Sequence, residues 1–396
     1  MLSERTKKIK PSPTLTLDAK VKAMKDRGID IVNFGVGEPD FDTPDNVKEA
    51  AIRAIRDGFT KYTPVGGIDT LKDAIIEKFK KDNHLDYMRK EIIVSCGAKH
   101  VLYNIAQSLF SPGDEVLIPS PYWVSYPEQV ILNDAVPVFI KTEEADSFML
   151  KPEMLETHIT KKTKALILNS PSNPTGSTYE KKNLEKIAEI ILKYNIYVIS
   201  DEIYEKLTYE GFKHISIASL DNDIKKKTIV VNGLSKSHAM TGWRIGFAGG
   251  PEEIIKAMTD IQSQSTSNPT SISQKAAIEA LTGSQDFTKM MVGEFDRRRR
   301  FLVNELNSME GIHCLAPKGA FYAFPNMSGI YGKSVMSHKI ASSSDLALYL
   351  LDEAKVAVVH GEAFGDDNHV RLSYATSIKD IGEGVARMKE AMSKLS

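Results

Sequence analysis

The sequence predicts an α/β protein whose larger domain holds a mostly parallel sheet and is followed by a smaller α+β domain. Between about residues 90 and 250, short runs rich in β-branched residues alternate with amphipathic helical stretches, the pattern of parallel strands joined by helices on both faces. After Asp260 that alternation gives way to longer helical stretches and isolated strands. The 396 residues also exceed what one compact core usually holds.

Pro11, Pro13 and Pro39 break regular structure in the first 42 residues, and residues 1–43 read as a segment packed on the smaller domain. A helix over 44–57 opens the large domain, which spans 44–295. Its strands are expected at 92–95, 115–119, 136–140, 164–169, 196–200, 228–232 and 245–248. Stretches 99–110 and 183–194 carry apolar residues at three and four spacing and read as helices. A long helical stretch around 286–309 leads into the small domain, 296–396. There 319–325 precedes a helix at 344–354, strands at 356–359 and 370–374, and a closing helix at 378–394.

Composition removes several function classes. Lys plus Arg number 51 against 52 Asp plus Glu, so no overall field favours nucleic acid or an acidic membrane. The chain also lacks a further helix-turn-helix domain for DNA. Cys96 and Cys314 stand far apart with no ligand spacing around them, which indicates neither a disulfide framework nor a zinc site. No stretch approaches the ~20 apolar residues of a membrane span, and the start has no signal-peptide pattern. A cytoplasmic protein is expected.

Ligands of open α/β sheets bind beyond the carboxyl ends of the strands, and four such loops are unusually polar. Cys96-Gly97-Ala98-Lys99-His100 opens a helix whose free N–H groups suit a phosphate. Ser170-Pro171-Ser172-Asn173-Pro174-Thr175-Gly176, Asp201-Glu202-Ile203-Tyr204 and Gly233-Leu234-Ser235-Lys236-Ser237 follow three further strands, the last continuing to Thr241-Gly242-Trp243-Arg244. Taken singly, these are a turn, a helix cap and a solvated lysine. Brought to one rim, they suit pyridoxal phosphate, which needs a lysine for its imine, a carboxylate for its pyridine nitrogen, donors to its phenolic oxygen and cations or N–H groups for its phosphate. Lys236 is the cofactor lysine of this reading and, once displaced, the carrier of the proton between substrate Cα and cofactor.

At these residues the chain resembles the class I aminotransferases of the fold-type I pyridoxal phosphate enzymes, and within them the bacterial branch acting on aspartate and, in some members, prephenate. The motifs are Gly37-Glu38-Pro39-Asp40-Phe41, Lys61-Tyr62, Pro121-Tyr122-Trp123-Val124-Ser125-Tyr126, Asn173-Pro174-Thr175-Gly176, Ser200-Asp201-Glu202-Ile203-Tyr204, Ser235-Lys236, Met240-Thr241-Gly242-Trp243-Arg244 and Val370-Arg371-Leu372-Ser373-Tyr374. The resemblance implies that Asp201 pairs with the pyridine nitrogen, Tyr204 and Asn173 donate to the phenolic oxygen, and Trp123 stacks on the ring. It implies that Arg244, with the backbone of Gly97 and Ala98, holds the phosphate, and that Tyr62 reaches in from the partner of a homodimer. Gly233 stands where many relatives carry a serine, so Ser235 or Lys99 is expected to replace that phosphate contact.

For the amino-acid and 2-oxo-acid substrates, the resemblance assigns the α-carboxylate to Arg371, whose planar fork gives two parallel bonds. It places Gly37 in a segment closing over substrate, with Trp123 and Asn173 alongside. It gives the distal carboxylate to Lys99, with phosphate counter-charge as the alternative, and prephenate use to Lys10, otherwise a surface lysine. The expected reaction is ping-pong transfer from L-aspartate to 2-oxoglutarate, with a prephenate or aromatic aminotransferase as the alternative. A pyridoxal phosphate lyase is a different class, and the Arg371 and Lys99 pair argues against it. Arg297-Arg298-Arg299-Arg300 is expected to be a solvated, ion-paired helix rather than a nucleic-acid patch. His100, His238 and His360 have no metal partner at usable spacing, and Gly35-Val36-Gly37 lacks the third glycine of a dinucleotide fingerprint.

Overall fold

The computed structural model describes residues 2–335 and 338–396. The large domain is built on seven strands, β1 (Ile92–Ser95), β2 (Glu115–Ser120), β3 (Val136–Lys141), β4 (Thr163–Asn169), β5 (Tyr197–Asp201), β6 (Thr228–Gly233) and β7 (Gly246–Gly249). They lie in the order β1-β7-β6-β5-β4-β2-β3. Pairings from β3 through β6 are parallel, whereas β7 runs antiparallel to both β6 and β1. The carboxyl ends of β1 to β6 therefore share one edge, and the residues just before β7 fall on that edge too.

The sheet is buried on both faces, as parallel sheets are. Ile167, Ile199 and Ile229 pack towards helices Ala98–Leu109 and Glu252–Ser265. Leu166, Leu168 and Val198 point the other way, towards Lys181–Tyr194, because neighbours on a strand alternate faces. Val94, Val230 and Phe247 meet helices Asp45–Arg56, Asp69–Asn83 and Ser271–Thr282 on that second face. The sequence reading supplied no helix for 69–83, 252–265 or 271–282.

The second domain has a three-stranded antiparallel sheet with Val370–Ser373 between Val359–His360 and Tyr322–Ala323. Helices Asp286–Asn307 and Ile378–Ser393 cover its core. Two expectations need correction. The strand expected at 356–359 is split: Val356–Ala357 pairs in parallel with Val32–Asn33, while Val359–His360 joins the three-stranded sheet. The helix at 344–354 is an α-helix, Ser343–Tyr349, continued by a π-helical turn, Leu350–Ala354.

The arginine run is the third correction. The ion pairs are present, but Arg298 and Arg299 are buried rather than solvated. Arg299 pairs with Asp296 and Glu210 and donates to the Pro317 carbonyl at 3.0 Å, while Arg298 bridges Glu294 and Asp40 at 2.8 Å each. Sequence pattern exposes all four because the helix is read alone; the turn carrying Glu210 and the loop carrying Asp40 close over two of them. The same helix runs unbroken through residues 295 and 296, where the sequence places a domain boundary.

Residues 29–43 link the domains. Phe34 N–H donates to the Ala357 carbonyl at 2.9 Å and its carbonyl accepts from Ser373 N–H at 2.8 Å. Beyond it, Thr43 Oγ1 donates to the Ala239 carbonyl at 2.7 Å and accepts from Trp243 Nε1 at 2.9 Å. On the opposite side, Gly176 has φ +67°, and a Cβ there would stand 2.3 Å from Pro317 Cβ. Only glycine lets the Asn173–Gly176 loop take that turn against the small domain.

The tightest approach at the sheet edge is made by Gly246, where an added Cβ would fall 2.2 Å from the backbone nitrogen of Ala98. Gly246→Ala is expected to destabilise the protein by about 1–3 kcal/mol, since backbone must move to relieve the overlap. Gly242→Ala, with nothing within 4 Å of the new carbon, should stay within about 0.5 kcal/mol of the parent. Denaturant titration of the pair checks this, and equal losses would count against the close approach.

Candidate active site

The shared strand edge opens into a cavity of about 430 Å³ whose wall includes Lys99, Trp123, Asn173, Asp201, Lys236 and Arg371. Ala98, Tyr204, Ser235, Gly37 and Arg244 also line it. Most residues singled out from sequence are thus brought together. Two are not: Tyr62 is 92% exposed on the protomer surface, and Lys10 is exposed, tied through its backbone N–H to Glu128 Oε2 at 3.1 Å. Gly233 lies buried within β6, where a Cβ would be 3.0 Å from Ile203 Cδ1.

Lys236 follows β6 and its amine donates to the Gly37 carbonyl. Burial lowers its pKa to about 8, Glu38 opposing that shift and Arg371 and Arg244 adding to it. Its Nζ lies 5.9 Å from the Tyr204 ring centre and 5.7 Å from that of Phe321. A lowered pKa leaves a fraction of the amine unprotonated near neutral pH, as a nucleophilic or proton-carrying lysine requires.

Asp201 ends β5. Its Oδ2 accepts from the Tyr126 hydroxyl at 2.7 Å and its Oδ1 from Ile203 N–H at 3.3 Å. Burial raises its pKa to about 6 against those hydrogen bonds. The next residue anchors the turn: Glu202 accepts from Ser200 Oγ at 2.8 Å and Ser216 Oγ at 2.7 Å, and His214 Nε2 lies 3.0 Å away. Tyr204 in the same turn shares a 2.8 Å hydrogen bond with Tyr322.

Arg371, in the middle strand of the small sheet, is 2% exposed. One guanidinium nitrogen donates to Asn173 Oδ1 at 3.0 Å and another to the Gly35 carbonyl at 2.7 Å. Its carbon sits 4.5 Å from the Tyr322 ring centre, and Nε is buried without a partner. Lys99 lies with Nζ 4.8 Å from the Trp123 ring centre, its pKa lowered by burial and by Arg244.

A fourth group forms a cradle. Gly97, at φ +93°, caps helix Ala98–Leu109, and no side chain caps its first turn. A Cβ on Gly97 would lie 2.5 Å from the Arg244 guanidinium. That guanidinium donates to the Thr241 carbonyl at 2.9 Å and the Cys96 carbonyl at 3.2 Å. Arg244 itself holds a left-handed φ of 56°, a strain tolerated where surrounding structure fixes the residue. Helix N-terminus and guanidinium together make an anion site.

Sequence reasoning gave no role to Tyr322, Tyr126, Asp18 or Glu38, which line the same cavity. Tyr322 lies in a short strand of the other domain, so no spacing could associate it with Tyr204. Tyr126 was visible inside a motif, and its contact with Asp201 comes from helix Ser125–Ile131 folding back over the sheet edge.

The sequence profile of the aminotransferase class I and II family matches residues 29–388. The chain belongs to that family. It is 51% identical over 388 residues to the aspartate aminotransferase of Bacillus sp. strain YM-2, spanning 98% of each chain. To the probable aspartate/prephenate aminotransferase of Rickettsia felis it is 50% identical over 398 residues, spanning 100% of this chain and 97% of the relative. The crystal structure of the aspartate aminotransferase from Rhizobium meliloti matches with a TM-score of 0.97 at 45% identity over 100% of both chains.

Aminotransferases of this family use pyridoxal 5′-phosphate, and the residues present fit it. The uncapped helix start, with Gly97 lying against Arg244, suits a phosphate; the buried Asp201 suits a cationic ring nitrogen; and Lys236, its pKa lowered by burial, suits an aldehyde.

The raised Asp201 pKa carries a stability signature in the cofactor-free protein. Below about pH 4 the acid is protonated in both states and contributes nothing. As pH rises towards 6, the unfolded chain gives up its proton first, so folding stability is lost through that window. Asp201→Asn removes this loss, worth on the order of 3 kcal/mol for a shift of that size. The melting temperature of the variant relative to the parent should rise between about pH 4 and 6.5 and then level off. A constant difference in calorimetry would contradict it.

Proposed function

We propose that this aminotransferase transfers the amino group of L-aspartate to 2-oxoglutarate, giving oxaloacetate and L-glutamate, as a homodimer in the cytoplasm. The carrying observation is that one cavity holds the Lys236 amine, its pKa lowered by burial, together with Arg371, a buried guanidinium whose Nε has no partner among the described residues, and the partly desolvated cation of Lys99. A substrate with two carboxylates finds two anchors there and a base between its chemistry and solvent. The names of the relatives from Bacillus and Rickettsia support the same substrate class, and among the described residues no helix is long and apolar enough to cross a membrane.

Pyridoxal 5′-phosphate, when bound, supplies an aldehyde for covalent attachment and a cationic ring that accepts the electron pair left at the substrate's Cα. Asp201 would hold a proton on the ring nitrogen, and the Tyr204 hydroxyl and Asn173 amide would donate to the phenolic oxygen. Arg244, Ser235 and the N–H groups of Ala98 and Lys99 would hold the phosphate, with Tyr62 contributed across the dimer and Trp123 beside the ring. Arg371 takes the α-carboxylate on its fork, and Gly37 keeps the N-terminal segment close over the site. Lys99 takes the distal carboxylate, and Lys10 borders the entrance for a larger acid such as prephenate. Lys236, with its buried amine in the same cavity, would be the group that carries the proton to and from the substrate's Cα, and the same residues would serve the 2-oxoglutarate half-reaction in reverse.

The absorption spectrum under L-aspartate alone tests this: the band of the lysine-bound cofactor should give way to that of its amine form at low aspartate concentration. Conversion only by L-phenylalanine would move the assignment to an aromatic aminotransferase, and conversion by L-arogenate alone to a prephenate enzyme. Lys99→Ala should raise the aspartate KM about tenfold or more while leaving that of phenylalanine nearly unchanged. Arg371→Lys keeps the charge but loses the fork, and kcat/KM for both substrates should fall by about a hundredfold.

A further inference from the structure

Tyr126 sits in the Pro121–Tyr126 motif yet has no part in the reaction as described so far. It is 2% exposed, and its hydroxyl lies 2.7 Å from Asp201 Oδ2. The ring is locked edge-on against Trp123, with centres 5.3 Å apart and planes at 82°. Its other neighbours, Val130 and Ile118, are core residues of the sheet face. The buried ring and the hydrogen bond together aim the hydroxyl at Asp201.

We propose that Tyr126 is a positioning residue: by donating to one oxygen of Asp201 it sets which oxygen faces the cofactor and how firmly that carboxylate holds the proton on the ring nitrogen. This rests on Asp201 being the ring-nitrogen partner. Five groups face the carboxylate: Tyr126, Ile203 N–H, Glu202 and Tyr204 from its own turn, and Lys236 from the loop after β6. Ile203 reaches Oδ1 only at 3.3 Å, so the tightly held oxygen is Oδ2 and the less engaged Oδ1 is left for the ring. Burial and the neighbouring carboxylate push the Tyr126 phenol far up its range. It therefore stays a donor at every working pH and favours the ionised form of Asp201.

Removing the donor makes the carboxylate more basic, and it then competes with the ring nitrogen for the shared proton. The test measures affinity of the cofactor-free protein for pyridoxamine 5′-phosphate, which has no aldehyde for Lys236, by calorimetry from about pH 5 to 8.5. Tyr126→Phe should weaken binding roughly tenfold to a hundredfold at neutral pH and move the acid-side midpoint up by about one unit. Incorporating 3-fluorotyrosine at position 126, a stronger donor of the same shape, should move that midpoint down. Asp201→Asn should bind weakly with no acid-side midpoint. If both changes at 126 leave the midpoint in place while Asp201→Asn abolishes it, Tyr126 is packing only and the proposal falls. If Asp201→Asn keeps both affinity and midpoint, the Asp201 assignment falls and the proposal with it. Should the Phe variant fail to fold, the direction of the fluorotyrosine shift decides.

Discussion

The site depends on one steric constraint, the passage of β7 against the start of helix Ala98–Leu109. Gly246 lies so close to Ala98 that no side chain fits between them, and β7 runs opposite to the six other strands. Because of that reversal, the residues preceding β7 arrive at the edge where the other strands end. Arg244 therefore meets the helix start following β1, although 148 residues separate it from Cys96. Had β7 been parallel, Arg244 would lie at the far edge and the helix N-terminus would face the cavity without that guanidinium. The small residues at positions 97 and 246 are what permit the contact.

Much of this was legible in the sequence because central parallel strands are nearly uniform runs of β-branched residues, and the polar residues ending them stand out. Asn173 and Lys236 follow strands β4 and β6 and Asp201 ends β5 between them, and the sheet order makes those strands direct neighbours. What stayed hidden depended on contacts between distant segments. Helices 69–83 and 271–282 pack on one another as well as on the sheet, and 252–265 packs on helix Ala98–Leu109 as well as on the sheet, so all three carry mixed faces. Arg298 and Arg299 read as solvated because Asp40 and Glu210, which neutralise them, lie 258 and 89 residues away. Tyr322 needed the small domain to close on Tyr204. Tyr62 and Lys10, singled out by resemblance, have their side chains outside the protomer's own cavity.

The N-terminal segment joins these parts into one device. Its short strand is hydrogen-bonded into the small domain through Val32 and Phe34, and the next residues turn directly into the cavity. There Gly35 presents its carbonyl to Arg371 of the small domain, and Gly37 presents its carbonyl to Lys236 of the large one. Glu38 then accepts from Thr241 Oγ1 at 2.6 Å. Two backbone acceptors two residues apart thus touch the cations of both domains, so a shift of the small domain is transmitted to the amine as well as to the guanidinium.

How each cation is held separates function from structure. Arg298 and Arg299 are buried with carboxylates in contact, and their charge is spent within the fold. Arg371 is equally buried, yet among the described residues its acceptors are an amide oxygen and a peptide carbonyl, and Lys236 likewise donates to a carbonyl. Neutral acceptors satisfy hydrogen-bond geometry without cancelling charge, so the desolvation cost of these two cations is left uncompensated in the free protein. A carboxylate bound there, as in the proposed function, would offset that cost for Arg371. For Lys236, burial lowers the pKa and leaves the amine partly neutral. With no carboxylate in direct contact among the described residues, a group that is always charged is suited to anchor an anion and one whose proton can leave is suited to act as a base, which fits a guanidinium at one position and an amine at the other.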